Sequence, residues 1–188
     1  MKKSVWILTV VLSATCVSTT AFAQAESLEK KEKVTFKRRN LGGPRFGVTY
    51  VTGHGDLWND VQSADVGRVV SQFGWHFERQ VIPNGGGPQF VVELVPMVAA
   101  VEYGRVAPNL TGIMGIRFEN GFELGMGPNT FVSKWSDSGP DFTTSLVVAV
   151  GKSFNYGGVS IPMNVAFATN PEGNRVSLVL GYAIASMN

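Results

Sequence analysis

Residues 116–127 read IRFENGFELGMG, and the fold turns on which side of this stretch is wet. Phe118, Phe122, Leu124 and Met126 are large and apolar, while Arg117 and Glu123 are charged and Gly125 and Gly127 are small. Asn-Gly between two alternating runs first suggests a two-residue hairpin turn. Such a loop would pair Glu119 with Phe122, Phe118 with Glu123 and Arg117 with Leu124, mixing charge and grease on both faces. A three-residue loop, Glu119-Asn120-Gly121, pairs Phe118 with Phe122, Ile116 with Leu124 and Met114 with Met126. It also sets Arg117 opposite Glu123 and Gly115 opposite Gly125, with Gly121 in the left-handed corner that such a loop requires. Register follows face matching, so the sequence predicts the three-residue loop.

The same alternation runs through eight segments, approximately 45–52, 69–80, 89–103, 109–118, 122–132, 141–152, 158–168 and 175–186. One face carries Phe46, Val48, Tyr50, Phe73, Trp75 and Phe77, and continues so to Leu178, Leu180, Tyr182 and Ile184. The other carries Gly47, Thr49, Gln72, His76, Glu78, Glu93, Ser145, Asn164, Ser177 and Gly181. Segment 89–103 departs, because Val91, Val95 and Met97 make it apolar on both faces. In a soluble barrel the greasy face points inward; in a membrane barrel it meets lipid and the small or polar face fills the interior. Three features favour the membrane. The polar face is Gly, Ser and Thr rather than Lys and Glu, and the apolar residues are too large for a small closed interior. Segments of about ten residues also match a spanning strand. The expected fold is therefore all-β, an eight-stranded antiparallel up-and-down transmembrane barrel. On this reading Arg117, Glu123, Glu93, His76 and Glu78 meet across the interior as a structural lumen network. An eight-stranded barrel is only wide enough to be filled by side chains, so a packed polar lumen without an open pore is expected.

Composition agrees with export. Lys2 and Lys3 precede the apolar run Val5 to Val17, and Ala21-Phe22-Ala23 gives a small-x-small cleavage pattern, so residues 1–23 read as a cleaved signal peptide. The only cysteine, Cys16, lies in this segment. Of 16 basic residues two fall there and none of the 14 acidic ones, which leaves 14 of each in the remainder. A neutral chain offers no basic field for nucleic acid. Residues 24–43 read as a charged periplasmic tail and 44–188 as a single barrel domain.

The connections are unequal. The first, Thr52 to Arg68, has room for a short helix with Asp56 as its cap and Leu57 and Val61 on one side. The fifth, Asn129 to Asp141, is also long. Both exit at one end, whereas the even-numbered links are short; an even strand count returns both chain ends to the short-turn side. Residues 53–68 and 129–141 are thus the candidates for contact with an extracellular ligand, and outer-membrane lipid is the expected surrounding.

Chemical motifs are sparse. His54 and Asp56 make at most half a metal site and read as an exposed turn. His76 shares a strand face with Glu78 while Ser71 points the opposite way; only a hydroxyl on another strand, such as Ser160 or Ser177, could complete a nucleophile pair. Glu78, Glu93, Glu119 and Glu123 could be imagined as paired carboxylates, but nothing sets a sugar cleft between them. The run PNGGGP at 83–88 lacks the Lys-Ser/Thr of a phosphate loop and reads as a turn. Trp58, Trp135, Tyr103, Phe154 and Tyr156 near the strand ends suit interfacial girdles. No catalytic residue, cofactor or metal is assigned.

The hairpin GIRFENGFELGMGPN (residues 115–129) and the closing pair GGVSIPMNVAFATNPEGNRVSLVLGYAIA (157–185) resemble segments of the small eight-stranded outer-membrane β-barrel proteins of bacteria. The resemblance spans roughly residues 44–186. It implies an outer-membrane location, assembly by the barrel assembly machinery, and a role in envelope structure, adhesion, resistance or lipid A modification. Lipid A deacylating barrels carry a His-x-Ser pair on one strand face; here His76 is followed by Phe77-Glu78. Such barrels commonly end in an aromatic residue, whereas this chain ends ASMN, with Tyr182 and Ile184 supplying part of the pattern. The expected function is a non-enzymatic envelope barrel acting through its long outer loops. A lipid-modifying enzyme using His76 is the alternative, followed by a soluble periplasmic lipid-binding barrel.

Overall fold

A computed structural model describes residues 35–53, 55–136 and 139–186. In chain order they form β1 (Phe36–Val51), helix α1 (Asp56–Ser63), β2 (Val69–Pro83), β3 (Gln89–Ala99), a 3-10 turn (Val101–Tyr103) and β4 (Ala107–Arg117). They continue with β5 (Phe122–Ser136), β6 (Gly139–Tyr156), β7 (Val159–Asn170), β8 (Gly173–Gly181) and β9 (Ala183–Ser186). Sequential strands pair antiparallel throughout. β8 and β9 form one stave interrupted at Tyr182, whose N–H still donates to the Pro44 carbonyl at 3.1 Å. β1 pairs with β2 on one side and with β8 and β9 on the other, so the sheet closes as eight staves without a free edge. Closure matters because an open edge exposes unpaired backbone groups, which lipid cannot satisfy.

The barrel is apolar outside and polar inside. Phe46 is 61% exposed and Met114 60%, and Trp75, Leu124, Val148, Phe167 and Leu178 share that outer face. His76 is 0% exposed and Arg45 2%, with Glu78, Glu93, Arg117, Glu123, Ser145 and Ser160 also buried. This is the construction of an outer-membrane-type transmembrane barrel, and it overturns the soluble reading, since in water those side chains would lie unburied around the whole wall. Among the described residues no helix is long and apolar enough to cross a membrane.

The hairpin that posed the question has the three-residue loop. Phe118 N–H donates to the Phe122 carbonyl at 2.8 Å and Gly121 N–H to the Phe118 carbonyl at 2.9 Å. Arg117 faces Glu123, Ile116 faces Leu124 and Met114 faces Met126. Gly121 has φ +82°. Asn120 completes the corner by accepting the Phe122 N–H at 3.0 Å.

Four expectations need correction. β1 begins at Phe36, so residues 36–43, assigned to a charged tail, are strand and part of the barrel. Lys37, Arg38 and Arg39 pair with Ile82, Val81 and Gln80 of β2, itself 15 residues long; their charge fits a strand end outside the hydrocarbon, not the lack of a strand. The segment 129–141 is no open loop, because β5 and β6 stay paired up to Ser136 and Gly139. β3 stops at Ala99, where Ala100 turns left-handed at φ 65° into the 3-10 turn, short of the expected residue 103. Finally, the N-cap of α1 is Gly55, with no side-chain capping bond, and Asp56 lies in the first turn.

Helix α1 stoppers one end of the barrel. Its Leu57 is 2% exposed and clusters with Val51 and Phe131. Val61 packs both there and against Ala64, Val66, Val70 and Ala100. The helix is anchored by Leu57 N–H donating to the Glu172 carbonyl at 3.0 Å. Trp58 packs against the cluster of Val51, Leu57 and Phe131, with the Arg68 guanidinium 4.2 Å from its ring centroid, and so braces the plug.

Candidate functional site

Strand parity builds the interior. On β2 the alternate residues His76, Glu78 and Gln80 are buried, with Trp75, Phe77 and Arg79 exposed between them. Glu93 of β3 lies opposite Glu78, and Arg117 and Glu123 face each other from β4 and β5. The half of the lumen nearer the short turns therefore collects all five residues of the expected network.

Arg117 is the hub. Its Nη1 donates to Glu78 Oε1 at 2.5 Å and its Nη2 to Glu78 Oε2 at 3.0 Å, a forked pairing. Its Nε donates to Glu123 Oε2 at 2.6 Å, and its Nη2 lies 3.7 Å from Glu93 Oε1. His76 Nε2 lies 3.2 Å from Glu78 Oε2 and 3.4 Å from Glu93 Oε2. Gln80 Nε2 donates to Glu78 Oε1 at 2.5 Å, and the Ser153 hydroxyl to Glu123 Oε2 at 3.5 Å. Charge-assisted, bidentate bonds of this kind are short and strong. The cluster ties β2, β3, β4 and β5 together across the barrel.

The sequence did not assign Arg45, Gln80 and Ser153 to this neighbourhood. Arg45 is nearly fully buried, lies in the field of Glu93, Glu123 and Glu78, and has no hydrogen-bond partner for Nη1 or Nη2 among the described residues. Parity would have found it: Gly43, Arg45, Gly47 and Thr49 share the inward face of β1, and the apolar residues Phe46, Val48 and Tyr50 mark the other.

The arrangement bears on chemistry. The near partners of His76 are carboxylates. Ser71, the hydroxyl nearest in sequence, is tied instead to Glu102 Oε2 at 2.6 Å, and Ser177 shares a bond of 2.7 Å with Thr49. Ser160 is buried, yet no hydrogen bond joins it to His76 among the described residues. Ligand atoms of His76, Glu78 and Glu93 lie within 4.8 Å of one another. Both Glu78 oxygens already accept from Arg117, so a cation there would have to displace a guanidinium and sit beside it. Of the four glutamates considered as paired acids, Glu119 lies apart in an exposed turn, accepting the Gly87 N–H at 2.5 Å. That bond holds PNGGGP as a turn. His54, half of the imagined metal site, lies outside the described residues.

The lumen is not uniformly filled. Beyond the ionic cluster, towards α1, lies a cavity of about 90 Å³ lined by Arg45, Thr49, Asn109, Asn129, Arg175 and Ser177 among others. A second, of about 80 Å³, shares Thr49, Gln72, Asn109 and Arg175 and runs up beneath Leu57 and Val61. The expectation of a packed interior thus describes only the half that holds Arg117.

No protein-family model and no curated protein matches the chain. Among solved structures it is similar to crystals of Ail, the attachment invasion locus protein of Yersinia pestis, at 12% identity over 79% of this chain and 97% of that one, with a TM-score of 0.48. It is also similar to the Yersinia pestis outer membrane protein Ail in a phospholipid bilayer nanodisc, at 12% identity over 80% and 100% of the two chains and a TM-score of 0.47. A third is the translocator domain of the autotransporter NalP from Neisseria meningitidis, at 10% identity, 94% and 97% coverage and a TM-score of 0.29.

Proposed function

We propose that this chain is a non-enzymatic barrel of the bacterial outer membrane. In this reading the network of Arg117, Glu123, Glu93, His76 and Glu78 is structural, and the protein acts through the end that carries α1 and the β5–β6 hairpin. The observation that supports it best is the placement of Arg117. A guanidinium bonded to carboxylates from two other strands, and close to a third, lies buried inside the barrel, which supports a braced wall and a blocked bore. The reading treats His76 as a partner of two glutamates, since a general base needs a hydroxyl within hydrogen-bond reach to activate it.

The test has two arms. Refolded protein in planar bilayers is expected to give no steady single-channel steps, and regular steps would refute a blocked bore. Expression in a bacterial host is expected to leave lipid A acylation unchanged. A changed acylation pattern that disappears in His76→Ala would establish the enzyme instead. A mobility shift between unheated and boiled gel samples reports the folded barrel in both arms.

A further inference from the structure

The upper lumen holds two cations that the ionic cluster does not neutralise by contact. Arg45 donates no hydrogen bond through Nη1 or Nη2 among the described residues, although it is 2% exposed. Arg175 lies higher. Its Nη2 donates to Asn129 Oδ1 at 2.9 Å and to the Ser145 hydroxyl at 3.0 Å, both neutral, and its guanidinium stacks 3.5 Å from the Phe131 ring. Among the described residues neither arginine has a carboxylate within ion-pair distance. A guanidinium in a low-dielectric site is costly unless an anion faces it, and its planar fork matches a carboxylate in two parallel bonds.

The chamber around them is amphiphilic. Arg45 and Arg175 line the same cavity together with Glu93, which belongs to the ionic cluster, and with neutral polar side chains such as Thr49 and Asn109. The adjoining cavity changes character upward, where Val51, Leu57, Val61 and Phe131 form its walls and roof. The two volumes, about 90 and 80 Å³, are together close to the roughly 150 Å³ apolar cavity that accepts a benzene-sized molecule. An inorganic oxyanion would satisfy the arginines and leave the apolar part empty. A neutral hydrocarbon would fill the roof and leave the guanidiniums unpaired.

We propose that the upper lumen binds a small organic carboxylate of about benzoate or hexanoate size, its head held between Nη1 and Nη2 of Arg45, unpartnered among the described residues, and the guanidinium of Arg175, and its apolar body lodged beneath α1. This goes beyond the proposed envelope role, which assigns the lumen no ligand.

The experiment titrates the full chain, refolded in neutral maltoside micelles, with benzoate, benzyl alcohol and inorganic phosphate, read by calorimetry and by amide chemical shifts. Benzoate is expected to bind roughly tenfold or more tightly than either control, because only it presents both a forked acceptor and an apolar body. Arg175→Gln is expected to weaken benzoate by about tenfold or more, and Leu57→Trp, which fills the roof, to abolish it. Equal binding of benzyl alcohol would reduce the site to an apolar niche, and equal binding of phosphate to a simple anion site; either overturns the proposal. So does an absence of benzoate binding at millimolar concentration, or an unchanged affinity in Arg175→Gln. Gel mobility before and after boiling separates these failures from failure of the barrel itself, since a ligandless barrel keeps its shift and an unfolded chain does not.

Discussion

Replacing Arg117 by leucine tests whether the lumen is organised by one guanidinium. The change keeps an apolar stem and removes every donor of the hub. Glu78 loses two bonds, of 2.5 and 3.0 Å, and Glu123 loses its bond of 2.6 Å. Glu93 loses a cation 3.7 Å away. Three buried carboxylates then face His76 and the more distant field of Arg45. Breaking a buried pair by removing one member costs about 3–5 kcal/mol, because the other charge stays desolvated. Arg117→Leu is therefore expected to destabilise by about that amount. Adding Glu123→Leu deletes one stranded carboxylate, whose Oε1 has no partner even in the intact cluster, and should recover roughly 1–3 kcal/mol, the desolvation cost of an unsatisfied group. The recovery is partial, because Glu78 keeps only His76 and Gln80. Urea unfolding of protein refolded into vesicles measures all the variants, with the lipid-facing Trp75 as a fluorescence reporter and gel mobility as a check on folding. A double mutant less stable than Arg117→Leu, or a single mutant within about 1 kcal/mol of the parent, would refute the hub.

Three further outcomes are expected in the same assay. Gly121→Ala should cost about 1–2 kcal/mol, because φ is +82° and the added Cβ meets the Ser153 carbonyl, whereas Gly157→Asn, at φ +54° with nothing within 4 Å, should stay within about 0.5 kcal/mol. Met126→Arg on the outer wall should cost about 2–4 kcal/mol if that residue lies near the bilayer midplane, against about 0–1 kcal/mol for Tyr156→Arg beside the β6–β7 turn; equal costs would remove the membrane reading of that wall. Leu57→Ala should cost about 2–5 kcal/mol and expose α1 to protease at concentrations that leave the barrel uncut, and an uncut helix would show that Leu57 does not hold the plug.

The barrel wall was legible because lipid inverts the usual code without changing its period. Phe118, Phe122, Leu124 and Met126 alternate with Arg117, Glu123 and Gly125 whether the grease faces in or out; size and the Gly/Ser/Thr bias of the other face decided the direction. The pairing of Arg117 with Glu123 followed from register alone. Elsewhere charge misled. Lys37, Arg38 and Arg39 concealed the first turns of β1, since a strand that projects beyond the hydrocarbon needs only its backbone partners and no apolar face. The polar run before Asp141 hid the extension of β5 and β6 for the same reason. Arg45 was missed although its parity was readable, because long-range packing, unlike a hairpin, leaves no mark in the neighbouring sequence.

The buried arginine needs an inward glycine beside it, whereas at Gly43, Gly74, Gly115 and Gly127 an added Cβ would first meet the backbone of a neighbouring strand. A barrel of eight staves has a fixed bore, so each large inward side chain must take its volume from a neighbour. A Cβ at Gly181 would stand 2.6 Å from Arg45 Cδ and 2.7 Å from its Nη1, and one at Gly47 would stand 2.8 Å from the Leu178 carbonyl oxygen and 3.1 Å from Gln72 Nε2. One at Gly151 would run into the Asn164 side chain. At Gly181 and Gly151 a glycine on one stave and a polar side chain on another are thus two halves of one packing solution. They let charged groups lie across the bore in the lower half, where Arg117 ties them together. Nearer α1 the inward residues become alanine, valine and short polar groups, such as Ala149, Ala166, Val179, Thr49 and Ser177. They leave space that none of the described residues fills. The same economy of volume that closes one end of the lumen leaves a chamber at the other, with Arg175 on its wall.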